Sequence, residues 1–167
     1  MDLTQYVRWF VFLHVIGAFM FAAGHGVSMF AAFALRRERD RNRMTALVDL
    51  SGTSLTVAGI GLLVLLIAGI VAGIVLNSFG RGWIWVSLVT LVVIAGIMTP
   101  LGSSYFNAIR AGLGQRTRNL KKTDPDPAPV SDEELASIVA SNRPEQLLVI
   151  GGVGLVVIVW LMMFRPF

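Results

Sequence analysis

Cysteine is absent from the 167 residues. That excludes disulfides, iron–sulfur clusters and thiolate metal sites, and leaves the redox compartment open. Charge is scarce: 14% of residues are charged, where a soluble domain of this size carries about 25%. The other side of that shortage is 55% hydrophobic residues and a mean hydropathy of +0.72, the composition of a polytopic membrane protein. Acidic residues are nearly missing from the apolar segments, which argues against a proton-coupled transporter built on carboxylates. No phosphate-binding loop, nucleophile elbow or His-Glu-x-x-His motif occurs. Enzymatic activity is therefore not expected unless a bound cofactor supplies the chemistry. The net charge of +4 reads as basic loops touching anionic lipid, not as a nucleic-acid surface.

Four apolar stretches carry the rest. The expected spans are about 9–35, 55–76, 83–105 and 146–164, in one integral membrane domain covering 1–167. The expected fold is an all-α four-transmembrane-helix bundle. The first span is too long for a signal-peptide core and is followed, not preceded, by the basic cluster Arg36–Arg43, so it reads as a retained helix. A short amphipathic piece, Met44–Leu50, leads into the second span. Asp49 reads as a helix-start acid favoured by the macrodipole. Gly69 and Gly73 make a small-xxx-small pattern, read as internal packing rather than a dimer motif. Asn77–Gly82 is short enough to force an antiparallel hairpin. Trp83 and Trp85 read as an interfacial anchor. Pro100 predicts a kink or a helix end. In the long connection 107–145, Asp124–Pro129 reads as extended chain, and Ser131-Asp132-Glu133-Glu134 is a capping box opening a short amphipathic helix. Loops 36–50 and 107–145 hold most of the Lys and Arg. The positive-inside rule places them in the cytoplasm and both termini outside it.

Both histidines lie in the first span. His14 and His25 are eleven residues apart, which brings them within roughly 20° of each other around the helix and about 16 Å apart along it. Gly17, Ala18, Phe21, Gly24 and Ser28 share the stripe, so this face reads as the inside of the bundle. An ionisable side chain inside a span is a functional candidate; the bland alternative is an imidazole hydrogen-bonded across the bundle. Depth bookkeeping puts Met162 and Met163 near the level of His14, and Met98 near that of His25, with Met29 one turn from His25. Imidazole with thioether suits haem iron or copper(I). The candidate cofactor-binding residues are thus His14, His25, Met98 and Met162, with haem b the first cofactor to test and copper the second. One helix cannot offer two histidines to opposite faces of one haem, so a site needs a methionine, an open position or a second chain.

Val11-Phe12-Leu13-His14-Val15-Ile16-Gly17-Ala18, then Gly24-His25-Gly26 and an Arg-rich loop, resembles a family of small four-span bacterial integral membrane proteins of uncharacterised role. The same residues look distantly similar to the membrane part of copper-resistance protein D and to haem-associated membrane proteins, which also carry Leu-His with nearby glycines in a span. His14 and Gly17 carry most of the likeness. The resemblance implies a multi-pass protein of the bacterial plasma (inner) membrane, but no established activity. The copper proteins have further histidines in other spans, and this chain has none there. Two functional expectations follow: a haem- or metal-binding membrane redox protein, or a non-catalytic accessory or scaffold subunit of a larger membrane complex. Partners are expected to be the lipid bilayer and other membrane subunits or further copies of the chain.

Overall fold

The computed structural model describes residues 4–117, 120–121 and 123–167, and all regular structure among them is helical. A single 3-10 turn, Thr4–Tyr6, precedes α1 (Val7–Leu35). Then come α2 (Arg41–Val75), α3 (Gly82–Gly112), α4 (Asp132–Val139) and α5 (Arg143–Phe164). Helices α1, α2, α3 and α5 are each long and apolar enough to cross a membrane.

Two helices run further than their apolar cores suggest. Met44–Leu50 is not a separate piece: α2 is continuous over 35 residues because Asp40 accepts the Arg43 N–H as N-cap and nothing breaks the helix afterwards. At about 1.5 Å per residue, α2 exceeds a ~30 Å hydrocarbon core by some 20 Å. Asp49 therefore lies inside the helix rather than at its start, and it pairs with Arg110 of α3 at 2.7 Å. Pro100 does not end α3, which continues through it to Gly112.

The four long helices form a bundle of two antiparallel pairs. In the first pair α1 lies on α2 along Gly17, Gly24, Ser28, Ala31 and Leu35, all buried. The backbones nearly touch. A Cβ on Gly17 would stand 2.5 Å from the Leu65 nitrogen, and one on Gly61 would stand 2.6 Å from the Phe21 nitrogen. Without a hydrophobic drive between helices in lipid, such close van der Waals contact holds a pair together. The buried Ser28 and Ser51 hydroxyls hydrogen-bond each other at 2.7 Å across the seam.

In the second pair α3 packs on α5 by larger side chains over glycines. Met98 lies on Gly151, and Ile94 on Gly154. Trp83 and Trp85 part company here. Trp85 is 55% exposed and donates its indole N–H to the Phe79 carbonyl at 2.9 Å. Trp83 is only 7% exposed, under the Arg165 guanidinium.

The two pairs are tied together at one end, the basic end that carries residues 36–40, 113–117 and 123–142. Ala32, Leu35, Met44, Val48, Tyr105, Ile109, Leu135 and Val139 make a buried core there. Helix α4 lies across it, capped by the Ser131 hydroxyl, which accepts the Glu134 N–H at 3.2 Å. The segment 125–131 before it has no regular structure. Arginines bind this core together. Arg36 forms a two-pronged bridge to Glu145 and also donates to the Ser141 carbonyl. Arg41 reaches Asp132 and the Val130 carbonyl, both at 2.6 Å. The Arg36 hydrogen bonds hold the Glu145 carboxyl below the usual carboxylate range. Every hydrogen bond and ion pair found between the two helix pairs, among the described residues, lies at this end.

Candidate functional site

The α1–α2 seam is an antiparallel hairpin turning about Asp40, so residue 14 lies level with residue 66. His14 meets α2 at that level. Its Nδ1 is 2.8 Å from the Leu65 carbonyl oxygen. A carbonyl only accepts, so Nδ1 carries the hydrogen, and in the corresponding tautomer the lone pair is on Nε2. Nε2 has no hydrogen-bond partner among the described residues. The ring is seated over Gly69, where a Cβ would stand 2.6 Å from Nδ1. The other glycine of that motif, Gly73, receives the Phe79 ring, so both glycines are filled from within the chain.

His25 has a different setting. It is partly buried one turn beyond Phe21, with the two rings edge to face at 4.5 Å between centroids. No side-chain hydrogen bond to it occurs among the described residues. Met29 is partly buried one turn further on. Helix α1 thus offers one imidazole with a fixed tautomer and one held by an aromatic edge.

The two methionines of the proposed set sit on the other helix pair. Tyr105 of α3 reaches the Ala32 carbonyl of α1, and Met98 and His25 each lie seven residues before those positions on helices running the same way. They are therefore at similar depth, but the Met98 Sδ and Cε stand 3.1 and 2.9 Å from where a Gly151 Cβ would be. Its thioether fills the α3–α5 seam. Counted from the Arg36–Glu145 bridge, Met162 lies five residues short of the level of His14, about 7 Å. The structure brings no imidazole and thioether of this set into a shared hydrogen-bonded or close-packed arrangement among the described residues.

No group of three or more His, Asp or Glu side chains that could hold a metal ion occurs among the described residues. What the described residues offer at this level is a single oriented imidazole rather than a cluster of such side chains. Sequence reasoning missed Leu65 and the seating role of Gly69. The signal was present, since a hairpin symmetric about residue 40 pairs position 14 with this part of α2.

The arrangement defines a polytopic helical membrane protein with one oriented intramembrane imidazole. Comparison with protein-family models, with curated proteins and with solved structures finds no match to the chain.

Proposed function

We propose that this is a haem-binding membrane protein in which His14 supplies an axial ligand. The observation that carries the reading is the Nδ1–H to Leu65 carbonyl bond. Metal-ligating histidines generally donate their second ring N–H to a carbonyl or carboxylate, which fixes the tautomer and aims the other nitrogen. The Gly69 seat adds rigidity to that aim. Bound haem would supply one-electron chemistry; the chain's part is to hold one side of it. His25, Met98 and Met162 stay in the candidate set, with Met98 disfavoured by its place on Gly151. Copper is the second cofactor to test. The resemblance to copper-resistance protein D and haem-associated membrane proteins supports the same reading, together with a bacterial inner-membrane location. The basic end is assigned to the cytoplasm by the positive-inside rule, with both termini on the other side.

The test is the absorption spectrum of protein expressed with excess haem, repeated for His14→Ala and His25→Ala. A Soret band lost with His14→Ala and kept with His25→Ala supports the assignment. A wild-type protein with neither a Soret band nor copper by elemental analysis sinks it.

A second reading, an accessory subunit of a larger membrane complex, is favoured by α3. Its membrane part is covered along one stripe by α5 and is otherwise open, with Val89, Val92 and Val93 exposed. Co-purification of a stoichiometric membrane partner under mild detergent supports that reading, and a stable isolated monomer counts against it.

A further inference from the structure

The side of α1 turned away from α2 carries its own pattern. Phe12, Phe19, Ala23, Phe30 and Ala34 are all exposed there, and successive members are alternately seven and four residues apart, which keeps them on one side of the helix. Phe19 is 70% exposed and Phe30 80%. Between them the surface dips, because Ala23 is small and Gly26 has nothing within 4 Å of where its Cβ would be. Just past the end of α1, the Arg37 backbone N–H turns back to donate to the carbonyl of Ala34, the last member of the stripe, at 3.0 Å, and Arg37 is exposed. Arg39, two residues on in the same connection, is also exposed.

The charge state of this turn is unusual. Arg36 is engaged by Glu145, Arg41 by Asp132, and Arg43 stands 3.9 Å from Glu38. Glu38 itself is folded back, accepting the backbone N–H groups of Arg39 and Asp40. Those two bonds, Asp40 first, hold its carboxyl below the usual range. Arg37 and Arg39 have no carboxylate partner among the described residues.

We propose that this face binds an anionic phospholipid, with the phosphate held by Arg37 and Arg39 and an acyl chain lying in the dip between Phe30 and Phe19. Guanidinium matches a phosphate diester geometrically and remains charged at any working pH. A zwitterionic lipid brings its own cation to the same place, which two unneutralised arginines disfavour. The site lies on the lipid side of α1, opposite the seam that holds His14, so it stands independently of any cofactor.

Native mass spectrometry of the full chain, loaded with equimolar phosphatidylglycerol and phosphatidylcholine, tests this. Wild type should retain phosphatidylglycerol preferentially. Arg37→Gln with Arg39→Gln should reduce that preference by about fivefold or more. Phe30→Ala should lower retention of both lipids and leave the headgroup preference in place. Arg8→Gln with Arg81→Gln, two exposed arginines at the far end, should change nothing. Far-UV circular dichroism confirms that each variant is folded, and Arg37→Lys with Arg39→Lys, which keeps the charge but not the planar fork, should keep only part of the preference. Equal retention of the two lipids by wild type overturns the proposal. So does a preference that survives the Arg37/Arg39 change, or one that falls equally in the Arg8/Arg81 control.

Discussion

At Gly69 one added methyl group decides whether His14 keeps its seat. The methyl of Gly69→Ala would stand 2.6 Å from Nδ1, so the imidazole must leave the Leu65 carbonyl or the helices must part. Overpacking of this kind costs about 1–3 kcal/mol. His14→Ala removes one interhelical hydrogen bond, about 0.6 kcal/mol in membrane helices and at most about 1.7. The two changes share one space, so they should not add: in the His14→Ala background Gly69→Ala should cost little. Thermal unfolding of the four proteins in detergent measures the cycle, and additive losses would show that Gly69 and His14 act separately. A second contrast uses the same substitution on one helix. Gly17→Ala forces a methyl onto the Leu65 backbone and should destabilise the α1–α2 pair by more than about 1 kcal/mol. Gly26→Ala meets open space and should be neutral or stabilising by up to about 1 kcal/mol, the helix-propensity difference.

Elements differ in what holds them. Helices α1 and α2 touch through glycine, alanine and serine, a seam with little freedom to repack. Helices α3 and α5 touch through Met98 and Ile94 over glycines, and methionine adapts its shape. Helix α4 is only eight residues long, too short to persist alone, and depends on Leu135 and Val139 in the basic-end core and on the Ser131 cap. Ser131→Ala should cost about 1 kcal/mol. Hydrogen exchange should then speed up across 132–139 while the α1–α2 seam keeps its protection; faster exchange in both would place the cap in the global stability instead. The capping box was legible because a hydroxyl followed three residues later by an acid is a local signal. The continuation of α2 through Met44–Leu50 was harder to read, because that part buries Met44 and Val48 against α3 and α4 rather than against lipid.

Across the whole molecule, two helix pairs hinge on one polar hub. Glu145 is held below its ordinary range first by the Arg36 hydrogen bond, so the folded protein binds its proton more weakly than the unfolded chain does. Its contribution is complete above the ordinary value of 4.5 and is lost as pH falls through the lower folded value. The absence of cysteine allows clean labelling: nitroxides at Phe12→Cys on α1 and Val156→Cys on α5, both exposed, report the separation of the pairs. The distance distribution should hold from about pH 8 to about pH 5 and broaden below 4.5. Glu145→Gln should give the broad distribution at every pH. A distribution indifferent to both acid and Glu145→Gln would assign the coupling to the apolar core alone.

The sequence by itself determined the four spans, since runs of apolar residues long enough for a bilayer leave the backbone no other way to satisfy its polar groups. It also determined which face of α1 packs inward, since glycines and serines at helical spacing leave one helix surface that another can approach closely, but not that α2 is the helix that meets it. Tertiary structure alone decided that α3 would pair with α5, that Met98 would fill Gly151 rather than stand free near His25, and that Trp83 would be buried. It also decided that Arg36 would close the basic end on Glu145, a partner 109 residues away. These contacts join residues far apart in the chain. Periodicity records which way a side chain faces on its own helix, but not which helix comes to meet it.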